Sequence, residues 1–320
     1  MGLRIVFAEP LSFHAANWKA GSPLRYNPRK VPDPETETAM NETRKHDLLV
    51  YLVKRLLKER LDNGGFMTKQ VMDLMPPRGA EESAATDDLR LAFRALVNVR
   101  EPWPADRDLL AAQDELLQGL IAEAGVTAAP DTAASSLGPR LRLWRGDITT
   151  LATDAIVNAA NDSMMGCWAP LHYCIDNAIH TFAGIQLRLE CARIMQEQGH
   201  PEPTGQAKVT PAYNLPSRHI IHTVGPISNG VVNDEMRTLL ASSYRSCLDA
   251  AAEAGDKSIA LCCISTGEFG FPAEAAAPLA VETVRTWLAE RDAAGAPTLT
   301  VVFNVYKESD EALYRTLLEI

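Results

Sequence analysis

"RGDITTLATDAIVNAAND", residues 145–162, is the stretch whose reading decides the fold. Its centre, DAIVNAA, is a short apolar run that ends at an asparagine and hands over to polar residues. An apolar run of that length reads as a strand buried on both faces. Further strands are expected over LRLWRG (141–146), AKVTPAY (207–213), HIIHTVG (219–225), SIALCCIS (258–265) and TLTVVFNVY (298–306). Helices are expected from about Pro170 toward Gln198, and over residues 233–255, 272–295 and 309–319. The 233–255 helix has an Asn/Asp start and a Gly stop. Strands alternating with helices predict an α/β layered domain with a largely parallel sheet. Such sheets bind ligands beyond the carboxyl ends of their strands. The sites to inspect are therefore the loops after Ala160, Val224 and Ile264.

The first part of the chain has a different texture. Residues 21–36, GSPLRYNPRKVPDPET, carry four prolines and no periodicity, so residues 1–40 are expected to be a flexible lead-in. Leu48, Leu49, Leu52, Leu56 and Leu57 then fall at helical spacing behind Asn41 as N-cap, with DNGG as the stop. Helices follow over 87–99 and 106–125, separated by Pro102 and Pro104. The segment 126–139, VTAAPDTAASSLGP, reads as a linker. The expected organisation is a lead-in to 40, a helical extension over 41–130, and the α/β domain over 140–320.

Composition narrows the function classes. A net charge of −10 with no long Lys/Arg run argues against a nucleic-acid-binding surface. No apolar run is long enough to span a bilayer, and the N-terminus lacks the apolar core of a secretory signal. Five Arg/Lys against one acid in residues 1–30 faintly resemble an organelle transit peptide, as a minor possibility. Six sparse cysteines suit a reducing, cytoplasmic setting rather than a disulfide scaffold. Cys262 and Cys263 fall on an expected strand and read as small core residues.

GCWAPLHYCIDNAIH, 166–180, concentrates chemistry. Cys167, His172 and Cys174 have a C-x4-H-x-C spacing that offers zinc two thiolates and an imidazole, with one tetrahedral position left for water or substrate. A reduced cysteine pair beside an unrelated histidine fits the spacing equally well. Asp176 stands at the first helical turn, either complementing the helix dipole or acting in catalysis. His180 lies beside the stripe of Ile175, Ile179 and Phe182 and reads as a satisfied core histidine rather than a ligand. STGEFGFP, 265–272, carries two glycines between strand and helix, where exposed amides can cradle a diphosphate.

GDIT (146–149), IVNAAN (156–161), HTVGP (222–226) and ISTGEFGFP (264–272), taken in that order, resemble the macrodomains, which bind ADP-ribose. DSMMGCWAPLHYCIDNAIH (162–180) and the helical extension resemble the zinc-containing members with protein ADP-ribosyl hydrolase activity. The resemblance implies a three-layer α/β/α sandwich with a mixed, mostly parallel sheet behind a helical extension. It implies Zn2+ on Cys167, His172 and Cys174, and a mono-ADP-ribosylated protein as substrate with an acidic side-chain linkage. Asp147 and Ile148 are placed at adenine, and Asn158 and Asn161 at the distal ribose. Ser265, Thr266, Gly267, Glu268, Phe269 and Gly270 are placed at the diphosphate, Phe271 against ribose, and Tyr306 or Phe303 near adenine, with core packing as the equal alternative for these three aromatics. Asp176 and Asn161 are the catalytic candidates. Position 162 is Asp where the family commonly has Ser, a charge expected to point outward or toward the metal. A non-catalytic reader with structural zinc, or an esterase for O-acyl-ADP-ribose, are the alternative functions.

Overall fold

A computed structural model describes residues 40–320; the lead-in expected over 1–40 lies almost wholly outside the described residues. Helices α1 (Glu42–Asp62), α2 (Lys69–Met72), α3 (Thr86–Asn98) and α4 (Arg107–Ala124) come first. The Asn41 side chain caps α1 through the Arg44 amide, and Asp106 caps α4 through the Leu109 amide. The leucine stripe of α1 packs with Leu89, Phe93 and Leu96 of α3 and Leu116 and Leu117 of α4 into a core of their own. A buried Arg100–Glu59 ion pair fixes the chain after α3 against α1.

The remaining elements are β1 (Thr127–Ala128), β2 (Ala133–Ser135), β3 (Gly138–Arg145), β4 (Leu151–Ala152), β5 (Ala155–Ala159), α5 (Ile175–Ala183), α6 (Ile185–Gln198), β6 (Ala207–Pro211), β7 (His219–Thr223), α7 (Asp234–Glu253), β8 (Ser258–Leu261), α8 (Ala273–Ala293), β9 (Thr300–Val305) and α9 (Glu308–Leu318). The main sheet has seven strands in the order β2-β3-β9-β8-β5-β7-β6. Its interior run from β3 to β7 is parallel, while β2 and β6 pair antiparallel at the edges. This is the expected macrodomain arrangement. Every parallel strand delivers its carboxyl end to one side, so the loops after β3, β5, β7, β8 and β9 meet there.

Two expectations are corrected. Residues 126–139 are not a linker: they form β1, a 3-10 turn and β2, with β2 lying on β3. The small Thr, Ala and Ser side chains let this polar segment serve as an edge strand, and Arg142 donates to the Thr132 hydroxyl at 2.9 Å and to the backbone carbonyls of Pro130 and Thr132. The helix expected from Pro170 begins only at Ile175 and breaks at Gly184 into α5 and α6. Gly184 has φ +100°, and a Cβ there would meet Gln113 Nε2 at 2.6 Å. Gln113 instead caps α6, its Oε1 accepting from the Ile185 amide at 3.0 Å.

Candidate active site

The loop between β5 and α5 carries the three residues expected to hold a metal, Cys167, His172 and Cys174. Cys167 Sγ lies 3.4 Å from His172 Nδ1, and the ligand atoms of Cys167, His172 and Cys174 all lie within 4.8 Å of one another. Sulfur and nitrogen on one tetrahedral zinc stand about 3.6 Å apart, so the trio is close to ligating geometry as it stands. The other ring nitrogen of His172 faces Glu268 Oε1 at 3.6 Å, the carboxylate–imidazole arrangement common behind metal-bound histidines. The Cys174 thiol hydrogen-bonds Cys167, and that bond brings the Cys167 thiol down to about 5. Cys174 is correspondingly held protonated. Two thiols sharing one proton make a site that a cation can complete by displacing it. The donor set, the spacing and the readily formed thiolate therefore fit zinc.

Asp176 sits on the first turn of α5, 6% exposed. Burial pushes its carboxyl up to about 7, against the opposing pull of the Asn158 hydrogen bond. Asn158 Nδ2 donates to Asp176 Oδ1 at 2.8 Å, and Asn161 Nδ2 approaches Asp176 Oδ2 at 3.4 Å. Asn161 also accepts from the Ser163 amide and donates to Gly166 O, so it ties the end of β5 to the ligating loop. Asn158 differs from the expectation that places it at a ribose: it has no exposed surface, and its side chain is engaged with Asp176 and His222. It holds the carboxylate rather than facing the cleft.

The loop after β8 turns through Ser265 at φ +66° and Gly270 at φ +66°. The Gly270 amide closes on Gly267 O and the Phe271 amide on Ser265 O. Among the described residues the amides of Gly267, Glu268 and Phe269 donate to no protein acceptor, so three successive N–H groups remain for an anion. After β3, the exposed Asp147 spends Oδ1 on Thr149 and keeps Oδ2 available as an acceptor. Ile148 is 4% exposed, which leaves only its backbone for a ligand.

For Phe271 and Phe303 core packing is the reading the structure supports. Each is 1% exposed, and Phe303 packs on Tyr314, so both belong to the core. Tyr306 is the exposed aromatic of the two adenine candidates. It meets Tyr173 of the ligating loop edge to face, with ring centroids 5.6 Å apart and the hydroxyls hydrogen-bonded. Tyr173 was not singled out by sequence reasoning, because a tyrosine between two ligands carries no pattern of its own. Asp162 is exposed and points outward. His180 is a further correction: it is buried, yet neither ring nitrogen has a hydrogen-bond partner. Cys191 and His222 lie beside it, the three ligand atoms again within 4.8 Å.

Residues 157–280 match the Macro domain family. The chain is 49% identical over 271 residues to a protein-ADP-ribose hydrolase of Treponema medium, covering 84% of this chain and 97% of that one. It is 44% identical over 268 residues to a protein-ADP-ribose hydrolase of Staphylococcus aureus, covering 83% of this chain and 93% of that one. A Trypanosoma brucei macrodomain solved in complex with ADP-ribose superimposes with a TM-score of 0.53 at 28% identity, over 70% of this chain and 94% of that one. With the sheet order, the strand-end loops and these likenesses in agreement, the chain belongs to the macrodomain family, in the group that includes the bacterial protein-ADP-ribose hydrolases.

Proposed function

We propose that this chain is a zinc-dependent hydrolase that releases ADP-ribose from mono-ADP-ribosylated proteins, acting on an ester-like linkage to an acidic side chain. The observation that carries the reading is the gathering of Cys167, His172 and Cys174 beside Asp176, at the carboxyl end of the parallel strands, where the Gly267–Phe269 amides and Asp147 also lie. The relatives named above support the hydrolase activity, the donor set of Cys167, His172 and Cys174 supports the zinc, and the acidic linkage is what the family resemblance implies.

Cleavage at the anomeric carbon builds positive charge on the ribose and negative charge on the departing carboxylate oxygen. Asp147 would accept from the adenine amino group, and the three loop amides would hold the diphosphate. The nucleotide is then anchored at two places, which orients the distal ribose toward Asp176. Asp176, braced by two amide donors, supplies negative charge near the developing oxocarbenium or takes a proton from the attacking water. A carboxyl poised near neutrality suits proton transfer at physiological pH. Zinc on Cys167, His172 and Cys174 would supply Lewis-acid polarisation of an oxygen or a more acidic bound water.

The test is ADP-ribose release from a modified protein, with metal analysis and ADP-ribose binding run in parallel. Release that stops on chelation and in Cys167→Ala, while ADP-ribose still binds, is the expected result. Undiminished release in Cys167→Ala and Asp176→Ala would overturn the mechanism. Preference for free O-acyl-ADP-ribose over modified protein would reassign the substrate, and binding without release would make the chain a reader.

A further inference from the structure

The ligating loop runs from Asn161 to Cys174, and its internal backbone hydrogen bonds are few: Met164 N to Asn161 O, and His172 N to Ala169 O. It also contains Leu171 at φ +58°, a conformation that leucine adopts only under constraint. Side chains reaching in from outside supply the order. Asn98, at the end of α3, accepts from the Leu171 amide at 3.0 Å and donates to Thr181 Oγ1 on α5 at 3.0 Å. Arg94, one turn earlier on α3, donates to the carbonyl of His172 at 3.3 Å and to Asn177 Oδ1 at 2.9 Å. Asn177 in turn donates through its side chain to Ala169 O at 3.0 Å, and its backbone amide donates at 3.4 Å to Sγ of Cys174, the N-cap of α5. Arg188 donates to Met165 O at 2.7 Å and to the carbonyls of Val97, Asn98 and Arg100, while lying 4.2 Å over the Trp168 ring.

We propose that α3 of the helical region is the positioning element of the zinc site, acting through Arg94 and Asn98, which grip the backbone on either side of His172. Neither residue touches a ligand atom or the substrate cleft; each fixes where the imidazole stands. Asn98 is 1% exposed and holds the strained Leu171 amide. Arg94 joins His172 to Asn177, and so to the residue whose backbone amide donates to Cys174 Sγ. Without them the loop keeps its ligands but loses the geometry in which the Cys167, His172 and Cys174 donor atoms converge. The assignment gives the helical region a part in ordering the site, and it rests on the zinc reading above.

The experiment uses the full chain. Zinc affinity and release rate are measured by competition with a chromophoric chelator for the wild type, Arg94→Ala, Arg94→Lys and Asn98→Ala, with exposed Arg90→Ala as the charge control on the same helix. ADP-ribose affinity of each variant reports whether the cleft is folded. Outer-shell partners of metal ligands change affinity by about 10- to 100-fold. That loss is expected in Arg94→Ala and Asn98→Ala, with ADP-ribose affinity held within about twofold, partial recovery in Arg94→Lys, and no change in Arg90→Ala. Should Asn98→Ala fail to fold, Arg94→Ala at its half-buried position decides alone. Zinc affinity unchanged in Arg94→Ala, with the wild type binding zinc, overturns the positioning role only. A wild type that takes up no zinc overturns the zinc reading and this role with it.

Discussion

Two clusters in this chain offer a metal the same atom types. Among the described residues, Cys167, His172 and Cys174 lie half-buried on a loop at the carboxyl end of the sheet, and His180, Cys191 and His222 lie buried on α5, α6 and β7. Their environments pull their chemistry apart. On the loop, a neighbouring thiol draws the Cys167 proton off at about 5. In the interior, burial pushes the Cys191 thiol well above its usual range and the His222 imidazole down to about 3. Both nitrogens of His222 are already committed, one to Asn158 at 3.1 Å and one to Thr210 at 3.0 Å. Ligand type therefore does not distinguish a metal site from a polar core. Access and thiolate formation do. The interior cluster is better understood as the wall behind Asp176, with His180 Nε2 3.6 Å from its Oδ1.

The sharpest way to break this contrast is to remove one sulfur from each cluster. Cys174→Ser should lose bound zinc and cut ADP-ribose release by more than the about 100-fold typical of outer-shell changes. Cys191→Ser should keep its zinc, losing stability instead. Zinc lost equally from both, by elemental analysis, would erase the distinction. Next in size is Asp176→Asn, which keeps the shape and the neighbours but removes the charge. Release should fall by about 100-fold or more, and calorimetric ADP-ribose affinity should change little.

Acid titration probes the buried wall. His222 is charged in the unfolded chain below about 6.5 but stays neutral in the folded one until about 3. Within that window the unfolded state binds the extra proton, so stability falls as pH falls. The slope approaches about 1.4 kcal/mol per pH unit, up to about 2 kcal/mol between pH 6.5 and pH 5. Denaturant midpoints for His222→Gln should show a shallower acid limb than the wild type; parallel limbs would mean the imidazole is not buried neutral. The smallest effect belongs to Glu268→Gln. Losing the exposed carboxylate that faces His172 should weaken zinc by about 10-fold at most in a chelator competition, and a larger loss would promote Glu268 to a ligand.

The sequence was most legible where periodicity and motif coincide. The strands at DAIVNAA and HIIHTVG, the helices α1, α4 and α7, and the C-x4-H-x-C spacing could all be read from residue types alone, whereas the loop conformation of His172 and Cys174, inside the helix expected from Pro170, could not. It was least legible where small polar residues took a tertiary role. Residues 126–139 look like a linker because alanine, threonine and serine suit a loop as well as an edge strand, and only the exposed edge of β3 chose between them. Gly184 looks like any helical glycine until Gln113, from a distant helix, caps the break. Phe271 and Phe303 carry the same signal as a ligand-stacking aromatic, and burial alone removed them from the cleft.

What the sequence determined by itself is the local grammar: strand against helix, the caps, and the ligand-rich loop at a strand's end. These follow from periodicity and from hydrogen bonds made within a few residues. What only the tertiary structure decided is which of two similar clusters faces the cleft, which aromatic is exposed, and that Arg94 and Asn98 hold the loop from about eighty residues away. Those outcomes depend on burial and on pairings between distant segments. Neither quantity is a property of any short stretch of chain.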